Sequence, residues 1–106
     1  MAGKNHEETN IQKEIMLELS KYGVPIRQQS GNFLTEYGGR VQVGITGISD
    51  ILFCKNNGKI AWLEVKTKKG KPSDEQKNFI EVMQSMGFCA GIVRSVEDAI
   101  NLIKDL

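Results

Sequence analysis

The stretch that decides the fold runs Ile48-Ser49-Asp50-Ile51-Leu52-Phe53-Cys54-Lys55, then Asn56-Asn57-Gly58, then Lys59-Ile60-Ala61-Trp62-Leu63-Glu64-Val65-Lys66. Two apolar, β-prone runs on either side of an Asn/Gly turn read as an antiparallel hairpin, with strands over 48–54 and 60–66. Successive strand side chains alternate between faces, so Glu64 and Lys66 project together and Val65 points away. Where Asp50 falls depends on the turn. A two-residue loop at Asn57-Gly58 would place Asp50 opposite Val65 and split the two carboxylates between faces. A three-residue loop, Asn56-Asn57-Gly58 with Gly58 in the left-handed position, pairs Lys55 with Lys59 and Asp50 with Glu64. The second register is the expectation.

That register has a chemical consequence. Two carboxylates directly across an antiparallel pair have Cβ atoms about 4.5–5.5 Å apart, where like charges destabilise the sheet. Both sit among apolar residues: Ile48, Ile51, Leu52 and Phe53 on one strand, and Trp62, Leu63 and Val65 on the other. Carboxylates are seldom placed so unless paired or metal-bound. A hard cation would offset the repulsion. Mg²⁺ accepts a small set of protein oxygens and keeps several waters. It would activate water and stabilise charge on a phosphoryl oxygen. Lys66, on the same face, could orient the water or stabilise the transition state. The bare pattern of Asp, a variable gap, then Glu-x-Lys is weak, and a surface hairpin with a salt bridge is its bland alternative.

Outward from the hairpin, Ile11, Ile15, Leu19 and Tyr22 recur at helical spacing, which predicts a helix over 9–21 with Thr9 and Gln12 as a capping box. Gly23-Val24-Pro25 stops it. A short strand is expected over 26–30, a loop or irregular hairpin over 31–39, and a second short strand around Val41 and Val43. On the other side, Thr67 to Pro72 reads as a basic loop. Ser73 caps a helix over 74–86 with Phe79, Ile80, Met83 and Met86 inward and Gly87 at its end. A strand over 89–94 follows. Ser95 then caps a last helix carrying Val96, Ala99, Ile100, Ile103 and Leu106 on one stripe. The order α-β-β-β-β-α-β-α implies a mixed sheet flanked by helices, in the α/β or α+β class.

The chain has 106 residues, of which 40% are hydrophobic and 25% charged, as expected of one ordinary globular domain. Residues 1–7 read as a polar tail, with His6 uninvolved. No apolar run is long enough to span a bilayer and no signal-peptide pattern is present, so a cytoplasmic protein is expected. Cys54 and Cys89 form no CxxC pair and read as buried free thiols. Net charge is +1, but from Lys55 to Lys77 seven lysines face three acids. That local excess could supply phosphate contacts or simply form a solvated loop.

At this point the residues resemble a known group. Gly47-Ile48-Ser49-Asp50, Glu64-Val65-Lys66 and Ser73-Asp74-Glu75-Gln76, in that order, look like the PD-(D/E)XK nuclease superfamily and, more narrowly, its VRR-NUC branch. Ser49 stands where that branch often has proline. Thr67-Lys68-Lys69-Gly70 resembles its basic glycine loop, Glu8-Thr9-Asn10-Ile11-Gln12 its leading helix, and Val93-Arg94-Ser95 the motif behind its name, with Ser95 in place of the second arginine. The resemblance covers nearly the whole chain. It implies a restriction-endonuclease-like αβββαβ core, with Mg²⁺ or Mn²⁺ held by Asp50, Glu64 and the Val65 carbonyl. Lys66 would be catalytic, with Glu8 an auxiliary acid and metal ligand, and Gln76 a further catalytic residue.

Some of these positions have ordinary readings too. Glu8 shares a helix face with Gln12, Ile15 and Leu19, and is also simply a favourable acid near a helix N-terminus. Gln76 is three residues after Ser73 and so could be half of a capping box. Lys68, Lys69, Lys71 and Arg94 are the candidate DNA contacts, and Arg94 could equally cover the sheet edge. Stand-alone members of the branch look like resolvases of four-way DNA junctions. Others are domains of repair or phage-related proteins. The expectation is a Mg²⁺-dependent, structure-selective DNA endonuclease acting as a homodimer on four-way junctions, in a bacterial or phage-infected cell, without an organic cofactor. The alternatives are a nuclease on flaps or nicked duplex, and a non-catalytic nucleic-acid-binding module on the same fold.

Overall fold

The computed structural model describes residues 6–28, 31–34 and 36–106. Four strands form the main sheet in the order β1 (Gly23–Arg27), β4 (Ile51–Lys55), β5 (Ile60–Val65), β6 (Cys89–Val93). β1 and β4 are antiparallel, as are β4 and β5, while β5 and β6 run parallel. The parallel pair needs a crossover, supplied by α2 (Asp74–Ser85). β2 (Gly31–Leu34) and β3 (Arg40–Val43) form a separate antiparallel ribbon between β1 and β4 in sequence. α1 (His6–Leu19) and α3 (Val96–Ile103) complete the chain.

The hairpin adopts the register with the three-residue loop. Ile51 pairs with Leu63 and Cys54 with Ile60. Lys55 accepts from Gly58 N–H at 2.9 Å and donates to the Lys59 carbonyl at 2.8 Å, and Gly58 has φ +86°. The odd-numbered strand residues Ile51, Phe53, Ala61, Leu63, Val65 and Val93 then share one face. They pack with Ile15 and Leu19 of α1 and Ala99 and Ile103 of α3 into one core. Burying each large side chain there contributes about 1.5–3 kcal/mol. The other face carries Trp62, whose ring meets Phe79 of α2 edge-on at 5.1 Å.

Several expectations are corrected. The first helix starts at His6, not Thr9, so Thr9 lies within it and does not cap it. Glu7 and Glu8 in its first turn complement the unpaired N–H groups there. The expected tail therefore shortens, and residues 1–5 lie outside the described residues. β1 begins at Gly23 and includes Pro25, which is tolerated because an edge strand pairs on one side only; the end of the expected 26–30 strand also falls outside the described residues. The glycine-rich 31–39 stretch contains a strand, β2, so the described residues hold nine elements instead of eight. Met86 is the C-cap of α2 and is 57% exposed rather than inward-facing, and Tyr22 lies beyond α1 and is exposed. Both cysteines are free but only half-buried. Burial raises the Cys89 thiol above its usual pKa. Among the described residues, no helix is long and apolar enough to cross a membrane.

Lys55 and Asn57 serve the fold. Lys55 Nζ donates to the carbonyls of Ile103 (3.0 Å) and Leu106 (2.9 Å), and Asn57 Nδ2 donates to Leu106 (3.0 Å). A cation at the C-terminal end of α3 satisfies open carbonyls and complements the helix dipole. One lysine of the basic stretch is thereby accounted for, at the end of β4 far from Asp50.

Candidate active site

β4 begins at Ile51 rather than at Ile48 as expected, and its last pair with β5 is Ile51–Leu63, so Asp50 and Glu64 lie one step beyond the ladder, in the register expected but with Asp50 just outside the strand. The Lys55 N–H to Lys59 carbonyl hydrogen bond fixes the alternation of the ladder. Asp50 and Glu64 therefore fall at a non-hydrogen-bonded position, where antiparallel strands approach most closely. Glu64 is completely buried and Asp50 is 9% exposed. Neither Glu64 carboxylate oxygen is open to solvent. Lys66 Nζ lies 3.6 Å from Glu64 Oε2, so these two side chains share a face, as their two-residue spacing requires.

Asp50 is held by backbone. The next ladder partner of Val65 would be Ser49, but the Val65 N–H instead donates to Asp50 Oδ2 at 2.8 Å. The Asp50 carbonyl accepts from Gln28 N–H, also at 2.8 Å. Lys66 N–H donates to the Val93 carbonyl at 3.0 Å. The site thus sits where β4 begins and β5 ends, pinned by its neighbours on both sides.

The approach to Asp50 depends on Gly47. It has φ +81°, a left-handed conformation. A Cβ there would also fall on the Glu75 carbonyl, 2.6 Å from its carbon. Glycine is therefore needed twice, for its backbone and for its contact with the first turn of α2. Ser49, beside Asp50, is fully buried, and its hydroxyl has no hydrogen-bond partner among the described residues.

Other candidates separate. Gln76 is the third residue of α2 and completes a capping box: its N–H donates to Ser73 Oγ at 3.1 Å and its Oε1 accepts from Ser73 N–H at 2.8 Å. Its amide nitrogen is not part of that box. Glu8 is half-buried on the α1 face that buries Gln12, Ile15 and Leu19. No three His, Cys, Asp or Glu among the described residues gather closely enough to hold a metal, so Glu8 does not join Asp50 and Glu64 in a three-acid cluster. Lys68, Lys69 and Lys71 are exposed. Arg94 is half-buried, and its Nη1 donates to the carbonyls of Thr67, Lys68 and Gly70. Nothing in the spacing of Arg94 or Gly47 announces these contacts, because both join segments more than 20 residues apart.

A mixed sheet with two helices on one face, a crossover helix on the other and an acid-acid-lysine group at the strand ends is a restriction-endonuclease-like core. The profile of the VRR-NUC domain matches residues 7–97, and the chain belongs to that family. One solved structure, titled "VRR_NUC domain", is similar with a TM-score of 0.72 at 22% identity, over 94% of this chain and 97% of its own. Another, "VRR_NUC domain protein", is similar with a TM-score of 0.65 at 17% identity, over 97% and 89% respectively. At these identities the likeness is one of fold. No curated protein matches.

Proposed function

We propose that this chain is a metal-dependent endonuclease that hydrolyses DNA phosphodiester bonds, with Asp50, Glu64 and Lys66 as its catalytic core. The observation that carries this reading is the β4–β5 register, which ends at Ile51–Leu63 and so leaves Asp50, bonded to the Val65 N–H, one step beyond it beside a fully buried Glu64 and Lys66. The donor set suits Mg²⁺ or Mn²⁺. Two carboxylates on one face are too few for an all-protein cage, but Mg²⁺ needs only one or two and keeps several waters. Asp50, Glu64 and the Val65 carbonyl would hold it. The ion supplies Lewis acidity towards water and the phosphoryl oxygens.

The chain's own groups do the rest. The Val65 N–H orients the Asp50 carboxylate by donating to its Oδ2. Lys66 is held near Glu64 and is placed to stabilise charge developing on phosphate. Lys68, Lys69 and Lys71 on the adjoining exposed turn bind flanking phosphates. The Gln76 amide nitrogen, outside the capping box, is available to water or substrate.

The substrate we favour is branched DNA, specifically the four-way junction. Its approximate two-fold symmetry calls for paired cuts, and one acid-acid-lysine site per chain then calls for a two-fold homodimer. The test is a panel of four-way junction, flap, nicked duplex, linear duplex and single strand, cut with Mg²⁺ by wild type and Asp50→Asn. Preferential junction cleavage, absent with EDTA and in the variant, is expected. Binding without cleavage by wild type would leave a nucleic-acid-binding module instead. A protein that stays monomeric on junctions, measured by mass in solution, would remove the resolvase reading while sparing nuclease activity.

A further inference from the structure

The turn after Lys66 is tied down by a residue distant in sequence. Arg94, the first residue beyond β6, directs Nη1 to the carbonyl oxygens of Thr67 (2.6 Å), Gly70 (2.6 Å) and Lys68 (3.3 Å). The turn also closes on itself: Gly70 N–H donates to the Thr67 carbonyl (3.1 Å) and to Thr67 Oγ1 (3.0 Å). Thr67 is buried, whereas Lys68 and Lys69 are exposed. Arg94 is itself anchored, since its N–H donates to Asp98 Oδ2 at 2.9 Å where Ser95 caps α3. Immediately before the turn, Lys66 N–H is bound to the Val93 carbonyl. Residues 93 and 94 thus fix the chain on both sides of the Lys66 side chain.

Nη1 carries two of the five guanidinium hydrogens, and the two short bonds to the Thr67 and Gly70 carbonyls use both. We propose that Arg94 is a positioning residue. It shapes the 67–70 turn so that Lys68 and Lys69 meet phosphate next to the Glu64–Lys66 pair. This rests on the nuclease reading for its DNA consequences, but the clamp itself does not. Lysine should not replace arginine here, because a single ammonium on a flexible stem does not reproduce the planar fork.

The experiment compares wild type, Arg94→Lys, Arg94→Gln and the double variant Lys68→Gln/Lys69→Gln, with Arg94→Lys also placed in the double variant. Amide exchange at Gly70 is measured on the free protein. Affinity for four-way junction DNA is measured in EDTA over a range of salt. The expected result is Gly70 exchange at least about tenfold faster in both Arg94 variants, with affinity about tenfold weaker, as for a lost charge-assisted hydrogen bond. The salt slope should fall in Arg94→Lys, although its charge is kept, and as far as in the lysine double variant. Arg94→Lys should then add little to that double variant.

Three results would overturn the proposal. Wild-type exchange and affinity in Arg94→Lys, with Arg94→Gln losing about 0.9 of slope, would make Arg94 a direct phosphate contact. Faster exchange in both variants with an unchanged slope would leave a purely structural clamp. If wild type neither binds nor cuts DNA, the nuclease reading and the presentation of the lysines fall together, and Gly70 exchange alone then judges the clamp. Should Arg94→Gln fail to fold, Arg94→Lys carries every comparison.

Discussion

Val65 gives its backbone N–H to the carboxylate of Asp50, 2.8 Å away, at the step where the strand ladder would have given it to Ser49. One side chain thus ends the β4–β5 pairing and is oriented by it. The same bond offsets part of the penalty for burying a carboxylate directly across from Glu64.

Asp50 therefore has two separable functions. Asp50→Asn keeps an oxygen acceptor for Val65 and should fold with wild-type stability, yet cleave DNA at under about 1% of the wild-type rate. Asp50→Ala leaves a buried N–H without its partner and should additionally lose about 1–3 kcal/mol in denaturant unfolding. Equal stability of the two variants would contradict the role given to the Val65 bond.

The carboxylate pair should also respond to metal without any DNA present. Mg²⁺ or Mn²⁺ at 100 times its Kd should stabilise wild type by about 2.7 kcal/mol, seen as a rise in melting temperature. Glu64→Gln should abolish that rise. With EDTA, Glu64→Gln should shift the melting temperature by less than metal shifts that of wild type, because relief of the repulsion from Asp50 is offset by loss of the Lys66–Glu64 pair. A metal-induced rise that survives in both Glu64→Gln and Asp50→Asn would place the ion elsewhere.

The sequence was most informative where interactions are local or periodic. The Asn56-Asn57-Gly58 loop specifies the register, and the register brings Asp50 to Glu64. Ser73 and Ser95 mark the starts of α2 and α3 for the same reason: a cap and its partner lie three residues apart. What was hidden is non-local. The contact of Gly47 with Glu75, the clamp of Arg94 on the 67–70 turn and the capping of α3 by Lys55 each join segments distant in sequence. Lys55 even misled, counting towards a basic stretch while bonded to carbonyls at the other end of the sheet. Thr9 has the chemistry of a cap but lies inside α1, because the acidic first turn of Glu7 and Glu8 lets the helix begin earlier.

Gly47 and Gly58 make a controlled comparison. Both have positive φ, but a Cβ at Gly58 meets nothing within 4 Å, while one at Gly47 collides with the Glu75 backbone. Gly58→Ala should cost only the conformational penalty, about 1–2 kcal/mol. Gly47→Ala should cost more, by a further ~1–3 kcal/mol of strain. It should also reduce cleavage at temperatures where the protein remains folded, because relief requires moving the segment that carries Asp50. Equal effects of the two substitutions on stability would mean that the loop before Asp50 yields freely.

Gln76 poses a last question, because its oxygen serves the α2 capping box while its amide nitrogen does not. Ser73→Ala breaks the box from the other side and should cost about 0.5–2 kcal/mol. Gln76→Ala should cost a similar amount, as each substitution removes one of the two reciprocal bonds of the box. Cleavage rates, measured well below either melting point, then separate capping from chemistry. Gln76→Ala is expected to be slower than Ser73→Ala, and Gln76→Glu should recover stability without recovering the rate, since it keeps the acceptor and lacks the amide donor. Matching rates in Gln76→Ala and Ser73→Ala would assign the glutamine to the helix cap alone and leave Asp50, Glu64 and Lys66 to act without it.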